Sequence, residues 1–239
     1  WEHHSGNLPL IWFSPTAQLL AQDKSAFVYG TRGSGKTTLL RSICWEDLVG
    51  NPSLKLQRTL GDFNHLGIYI RFPDHISSSF SSMEWRSVFP LALDPELEFH
   101  RHFSLAIELL CLERALTAVH ELRLLSQVAF DATAELQFTA DFLAEYPSIE
   151  KFSNKAPRTF LDLSRVLRTI VRQMNEASGR GVVKDIAPLL PAREPNEFLQ
   201  NALERLSGIV RISATAEDHR IGFKFCLDDC EVLSSLQKK

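Results

Sequence analysis

Lys36 and Thr37 close the string Gly30-Thr31-Arg32-Gly33-Ser34-Gly35-Lys36-Thr37. The spacing is G-x-x-x-x-G-K-[ST], a loop built to hold phosphate. Each residue type has a task in that chemistry. Gly30, Gly33 and Gly35 let the backbone take positive φ and pass close to a phosphate with no Cβ in the way. The loop N–H groups then converge on the anion, and the helix that follows points its positive end at it. Lys36 reaches the β- and γ-phosphate oxygens, and Thr37 offers its hydroxyl to Mg²⁺. Thr31, Arg32, Ser34 and Thr38 complete the nucleotide-binding stretch.

A second place where chemistry could occur lies near the other end. Ile221-Gly222-Phe223-Lys224-Phe225-Cys226-Leu227 is a mostly apolar run, and Asp228 and Asp229 follow it. An apolar strand ending in acids has the form of a Walker B segment. Asp228, at the strand's carboxyl end, is expected to hold Mg²⁺ through its water shell beside Thr37. Asp229 is expected to orient and polarise the water that attacks the γ-phosphate, which makes it catalytic together with Lys36. The alternative is a plain strand whose acids cap a helix over Cys230 to Leu236.

Certain elements must stand around these residues for them to work. Ser25-Ala26-Phe27-Val28-Tyr29 is a short apolar run that predicts a buried strand leading into the loop. Thr37 to Trp45 carries apolar residues at helical spacing and predicts the helix that follows. Leu66 to Phe72 predicts a second strand, covered on both faces and ended by Pro73. Arg71 sits near the carboxyl end of that strand, the edge where ligands gather in open α/β sheets, although a solvent-facing arginine is the simpler reading. Before the loop, Ser14 and Pro15 give a helix start, and Thr16 to Gln22 predicts a short helix. That helix either contacts adenine or packs on the sheet edge.

The long middle reads as helical. Asp94-Pro95-Glu96 is a helix start that opens a helix toward Leu122, and Asp131 caps another through Phe142 and Tyr146. Lys151 to Pro157 is loop-like. Thr159 to Ser178 carries an apolar stripe of Phe160, Leu163, Leu167, Ile170 and Met174. Arg165, Arg168 and Arg172 lie on a different face at helical spacing. They could meet the phosphates of nucleic acid or an acidic partner. A solvated face that balances neighbouring acids is the preferred reading. His100-Arg101-His102 lies inside the first long helix, where residues two apart point to different sides, so a surface pair is expected in place of a metal site. Ser178-Gly179-Arg180-Gly181 breaks the third helix, Pro188 to Pro195 is loop, and Asn196 to Leu206 predicts a further helix.

Taken together, G-T-R-G-S-G-K-T-T-L-L-R and F-C-L-D-D-C-E-V-L resemble the P-loop ATPases of the AAA+ type. The resemblance is greatest to the origin-recognition-complex-type ATPases and their bacterial relatives. Glu231 and Leu233, and the stretches I-W-F-S-P and Y-I-R-F, are similarly placed. The motifs cover roughly the first eighty residues and the last twenty. The resemblance implies an α/β fold: a parallel-sheet P-loop NTPase core with a large helical insertion between the second strand and the Walker B strand. Residues 1–82 would form the first part of the core, 83–215 the insertion, and 216–239 the Walker B strand and the helix after it. It also implies ATP and Mg²⁺ as cofactors, homo-oligomers or a protein partner, and a nucleotide state that drives conformational change or assembly. Asp229 departs from the family pattern, where glutamate is usual. Asp is one methylene shorter, which implies slow hydrolysis, so a nucleotide-dependent switch or scaffold is the second reading. The family's sensor residue and helical lid lie after the Walker B strand, so a start at Trp1 and an end at Lys239 are expected of part of a longer chain.

Composition narrows the remaining classes. The 239 residues suit one large domain or two small ones. With 44% hydrophobic and 23% charged residues the chain has an ordinary globular composition, and a net charge of −3 supplies no global pull toward nucleic acid. No apolar stretch is long enough to span a bilayer and no signal peptide is recognisable, so a cytoplasmic protein without membrane contact is expected. Cys44, Cys111, Cys226 and Cys230 fit free thiols better than a disulfide framework or a zinc site. A GTPase is disfavoured because Asn154-Lys155-Ala156 is followed by Pro157 and not by the Asp of a guanine-reading motif. A transporter-type ATPase is disfavoured because no L-S-G-G-Q string occurs.

Overall fold

The computed structural model describes residues 16–20, 22, 24–51, 58–76, 94–176, 197–213 and 221–230. Its organising element is a parallel pair of strands, β1 (His65–Arg71) and β4 (Gly222–Asp228). The register sets His65 beside Gly222, Tyr69 beside Cys226 and Arg71 beside Asp228. Side chains alternate across a strand, and partnered residues point the same way. One face therefore carries Tyr69, Arg71, Cys226 and Asp228. Leu66, Ile68, Ile70 and Phe225 take the other face, where Leu66, Ile68 and Ile70 are fully buried.

The polar face is covered by the segment after the loop. Helix α2 (Lys36–Arg41) runs from the loop, and α3 (Trp45–Gly50) follows it. The single helix expected from Thr37 to Trp45 is thus interrupted at Ser42–Cys44. The cause is Cys44, which leaves the helix to bridge Gly67 on β1. Gly67 has to be glycine there: a Cβ would stand 2.0 Å from the Ile43 carbonyl oxygen. The short helix before the loop is α1 (Ala17–Leu20), with Ala17 and Leu20 buried. Ser14 and Pro15, expected to start it, lie outside the described residues.

The strand expected at Ser25–Tyr29 is corrected. These residues form no strand, and among the described residues β1 and β4 pair with each other, with the single Cys44 bridge to Gly67 beside them. A strand needs a partner edge for its N–H and C=O groups, and among the described residues none pairs with this segment. Phe27 and Tyr29 are 84% and 86% exposed and stack on each other with ring centroids 6.2 Å apart. Val28, between them, is the residue that turns inward onto the core.

Between β1 and β4 the described residues are mainly helical. After the short α4 (Phe72–His75) come α5 (Pro95–Leu124), α6 (Ala132–Glu145), α7 (Phe160–Glu176) and α8 (Glu197–Ile209). Two-residue strands β2 (Val128–Ala129) and β3 (Arg211–Ile212) pair antiparallel, and no sequence pattern predicts them. The expected caps are in place: Asp94 accepts from the Leu97 N–H at 3.1 Å and Asp131 from the Thr133 N–H at 2.6 Å. Part of the loop expected at Lys151–Pro157 is instead the end of a 3₁₀ turn, Pro147–Phe152. The expected breaks at Ser178–Gly181 and Pro188–Pro195 lie outside the described residues.

Helix α7 buries Phe160, Leu163, Leu167, Ile170 and Met174 against α5, as its stripe requires. Aromatic rings from Phe130, Phe138, Phe142, Tyr146, Phe160 and Phe198 form one connected cluster. The surface pair expected at His100 and His102 is also corrected. His102 is buried, because the helix that carries it is packed on more than one side.

Candidate nucleotide site

The loop Gly30–Gly35 turns where its glycines allow it. Gly33 and Gly35 have φ of 84° and 83°, in the left-handed region that costs other residues strain. Gly35 sits directly before α2, so the chain enters the helix from a conformation most residues resist. The Lys36 ammonium folds back over the loop and donates to the carbonyl oxygens of Gly30 at 2.8 Å and Thr31 at 3.1 Å. Those bonds hold the lysine across the mouth of the loop. Thr31, Arg32, Gly33 and Ser34 form the exposed rim.

Thr37 is the residue at which the two sequence motifs meet. Its hydroxyl donates to Asp228 Oδ2 at 2.7 Å, across a sequence separation of 191. Asp228 is buried at the carboxyl end of β4 and receives two further bonds. Tyr69 Oη donates to the same Oδ2 at 2.7 Å, and the Asp229 N–H donates to Oδ1 at 2.9 Å. Burial, and then the bond to Asp228, push the Tyr69 phenol well above its ordinary range. It therefore stays protonated and stays a donor. Thr38 lies on α2, one residue beyond this contact.

Asp229 is held differently. It is a non-glycine residue with φ of 57°, a conformation that Asp tolerates better than most. Its Oδ2 accepts from Arg71 Nε at 2.7 Å, and Arg71 also reaches Asp74 Oδ1 at 3.2 Å. Arg71 is exposed, as the solvent-facing reading has it, and makes these contacts at the surface. Arg71 lies at the end of β1 beside Asp228 and ties down the next residue.

A supporting layer lies behind the site. Arg41, at the end of α2, makes two bonds to the buried carboxylate of Asp47, at 2.7 and 2.9 Å. Its guanidinium stands 5.9 Å from the centre of the Tyr69 ring. Cys44 lies against Cys226 two residues before Asp228, and burial holds the Cys44 thiol well above its usual range. All four cysteines are free. Glu46 has its Oε2 buried without a hydrogen-bond partner, and desolvation pushes its carboxyl up to about 7.

Tyr69 was missed in the sequence, yet a signal was available. Tyr69 and Arg71 are two apart on one strand, so a parallel neighbour ending in Asp228-Asp229 puts hydroxyl, guanidinium and both acids on one edge. The arginine stripe is brought to no such centre. Arg165, Arg168 and Arg172 are exposed on α7, but Arg168 is committed to the molecule itself, its Nε donating to the buried Glu113 at 2.9 Å. Glu231 and Leu233 lie outside the described residues.

A family model described as ORC-CDC6-like matches residues 1–239. The chain belongs to the ORC-CDC6-like family. No curated protein and no solved structure gives a significant match. Membership agrees with the resemblance drawn from the two motifs and makes this an AAA+-type ATP-binding protein. The mixed helix-and-strand architecture with a parallel strand pair is compatible with the α/β fold of that family. Among the described residues, no helix is long and apolar enough to cross a membrane.

Proposed function

We propose that this ORC-CDC6-like chain binds ATP with Mg²⁺ between the Gly30–Thr38 loop and Asp228. Its nucleotide state then drives a conformational change or assembly on nucleic acid or a protein partner. The hydrogen bond from Thr37 to Asp228 carries the reading, because it joins the last loop residue to the first acid of the Walker B run. The donor set fits the metal: a hydroxyl and a carboxylate are the hard oxygen ligands that Mg²⁺ prefers. In this reading Thr37 and Asp228 hold the ion, which supplies neutralisation of charge on the phosphates. Lys36 leaves the Gly30 and Thr31 carbonyls for phosphate oxygens. The loop N–H groups orient the phosphate chain, and Asp229 accepts a proton from the attacking water. Residues 1–82 and 216–239 make up the core, and the helices within 83–215 are an insertion into it.

Binding of a fluorescent ATP analogue to the chain and to Lys36→Ala tests this. The expected result is a loss of affinity of at least tenfold, about 1.4 kcal/mol. Unchanged Mg-ATP binding by the variant rejects the reading.

A second reading, a nucleotide-dependent switch with little hydrolysis, has its own observation. The Asp229 carboxylate is already engaged by Arg71 and is short for the task. Sustained multiple turnover by the unaltered chain rejects that reading.

A further inference from the structure

We propose that Tyr69 is a positioning residue for the metal-holding carboxylate of Asp228. The inference rests on the ATP and Mg²⁺ reading above and assigns a new role within that site. Three donors fix Asp228: Thr37 and Tyr69 both reach Oδ2 at 2.7 Å, and the Asp229 N–H reaches Oδ1 at 2.9 Å. Two of them are unsuited to setting the carboxylate plane independently. Thr37 is itself expected to turn toward the ion, and the Asp229 N–H belongs to the adjacent residue and moves with it. Tyr69 alone comes from a different strand and has no other task in the site.

The hydroxyl is also held rigidly. β1 is tied at Gly67, which bridges Cys44 and lies so close to the Ile43 carbonyl that a Cβ would stand 2.0 Å from it. The Tyr69 ring lies beside the Arg41 guanidinium, and Arg41 is fixed by its two bonds to buried Asp47. A tyrosine has few rotatable bonds, so a ring clamped in this way places its Oη with little freedom. Without that donor, Asp228 is held only by Thr37 and its neighbour's N–H, and its terminal torsion, which is broad for a carboxylate, is less restrained. The ordering then has to be supplied when the ion binds. Loss of Tyr69 Oη is therefore expected to weaken Mg²⁺ while leaving the loop's grip on the phosphates unchanged.

The test uses the whole chain and two titrations. Mg²⁺ is titrated at a fixed concentration of fluorescent ATP analogue, and nucleotide affinity is measured separately in excess EDTA. In Tyr69→Phe the Mg²⁺ midpoint is expected to rise roughly five- to tenfold, the net size of one ordinary hydrogen bond. Affinity in EDTA is expected to stay within twofold. Tyr69→Leu, which also removes the ring, separates positioning from packing. A midpoint shifted in the Leu variant but not in the Phe variant assigns the effect to packing and overturns the proposal. An unchanged or lowered midpoint in Tyr69→Phe also overturns it. If Lys36→Ala abolishes binding while Tyr69→Phe behaves as the unaltered chain, the proposal falls and the ATP reading stands. If the unaltered chain binds no nucleotide with or without Mg²⁺, both fall.

Discussion

Phe160 and Asp228 are both buried, and opposite forces hold them. Phe160 sits among rings, with Phe130 at 5.0 Å and Phe138 at 5.4 Å between centroids. Asp228 is surrounded by donors from three parts of the chain, Thr37, Tyr69 and its neighbour Asp229. The helical region between β1 and β4 is thus fixed by area and shape, while the site is fixed by a few directed bonds. Area is forgiving of direction but costly to remove. A directed bond costs less stability to lose, but its loss moves an atom on which chemistry depends. Substitutions in the helices should act on folding, and substitutions around Asp228 on binding.

Phe160→Ala tests the first half of that contrast and has the largest expected effect. Removing a fully buried phenylalanine side chain costs about 3–5 kcal/mol, the lost transfer free energy plus the cavity. Urea unfolding followed by circular dichroism should show the midpoint fall with the slope unchanged. Helix α5 packs on β1 and α8 on β4, so one transition is expected for the whole chain. A second, separate transition for the strand pair would break the comparison, because the two regions would then unfold independently.

Glu46→Gln tests a residue that belongs to both regions. It stands at the start of α3, behind the site, with Arg114, Asp47 and Arg41 as its charged neighbours. Burial raises its carboxyl from 4.5 to about 7. Between those values the folded chain holds a proton that the unfolded chain has released. The stability this group contributes is therefore full below pH 4.5 and is lost as pH rises through about 7. The loss is on the order of 3 kcal/mol, at 1.36 kcal/mol per pH unit over about 2.5 units. Glu46→Gln should flatten that decline and raise the melting temperature at pH 8. An identical pH profile for the variant rejects the assignment.

What could be read from the sequence depended on how local each feature is. The loop motif, the Asp94 and Asp131 caps and the apolar stripe of α7 are set by residues within one or two turns of one another. Sequence spacing captures such features. Most failures were contacts between distant segments. Ser25–Tyr29 has the composition of a strand, but pairing depends on a neighbour its own residues do not name. The break at Ser42–Cys44 depends on Gly67. Within the site, the acids were legible as a motif. Tyr69 was not, because a hydroxyl in an apolar strand acquires its role only from the strand beside it.

Arg71→Ala has the smallest expected effect on stability and bears most directly on the site. Its pair with Asp229 is partly exposed, with side chains 47% and 31% accessible. Such pairs contribute about 0.2–1 kcal/mol and weaken with salt, so the melting temperature should barely move. The consequence for turnover is different. While Arg71 holds the Asp229 carboxylate, its Oδ2 is engaged by the guanidinium and is not open to an attacking water. Removing the arginine should raise ATP turnover by roughly fivefold, about 1 kcal/mol of barrier. Raising the salt concentration should shift the unaltered chain in the same direction by a smaller factor. A fall in turnover on Arg71→Ala, with stability unchanged, would mean that the guanidinium orients Asp229 for the reaction. The directed bonds on β1 would then serve catalysis at Arg71 as they serve the metal at Tyr69, and the edge of that strand would carry no restraint at all.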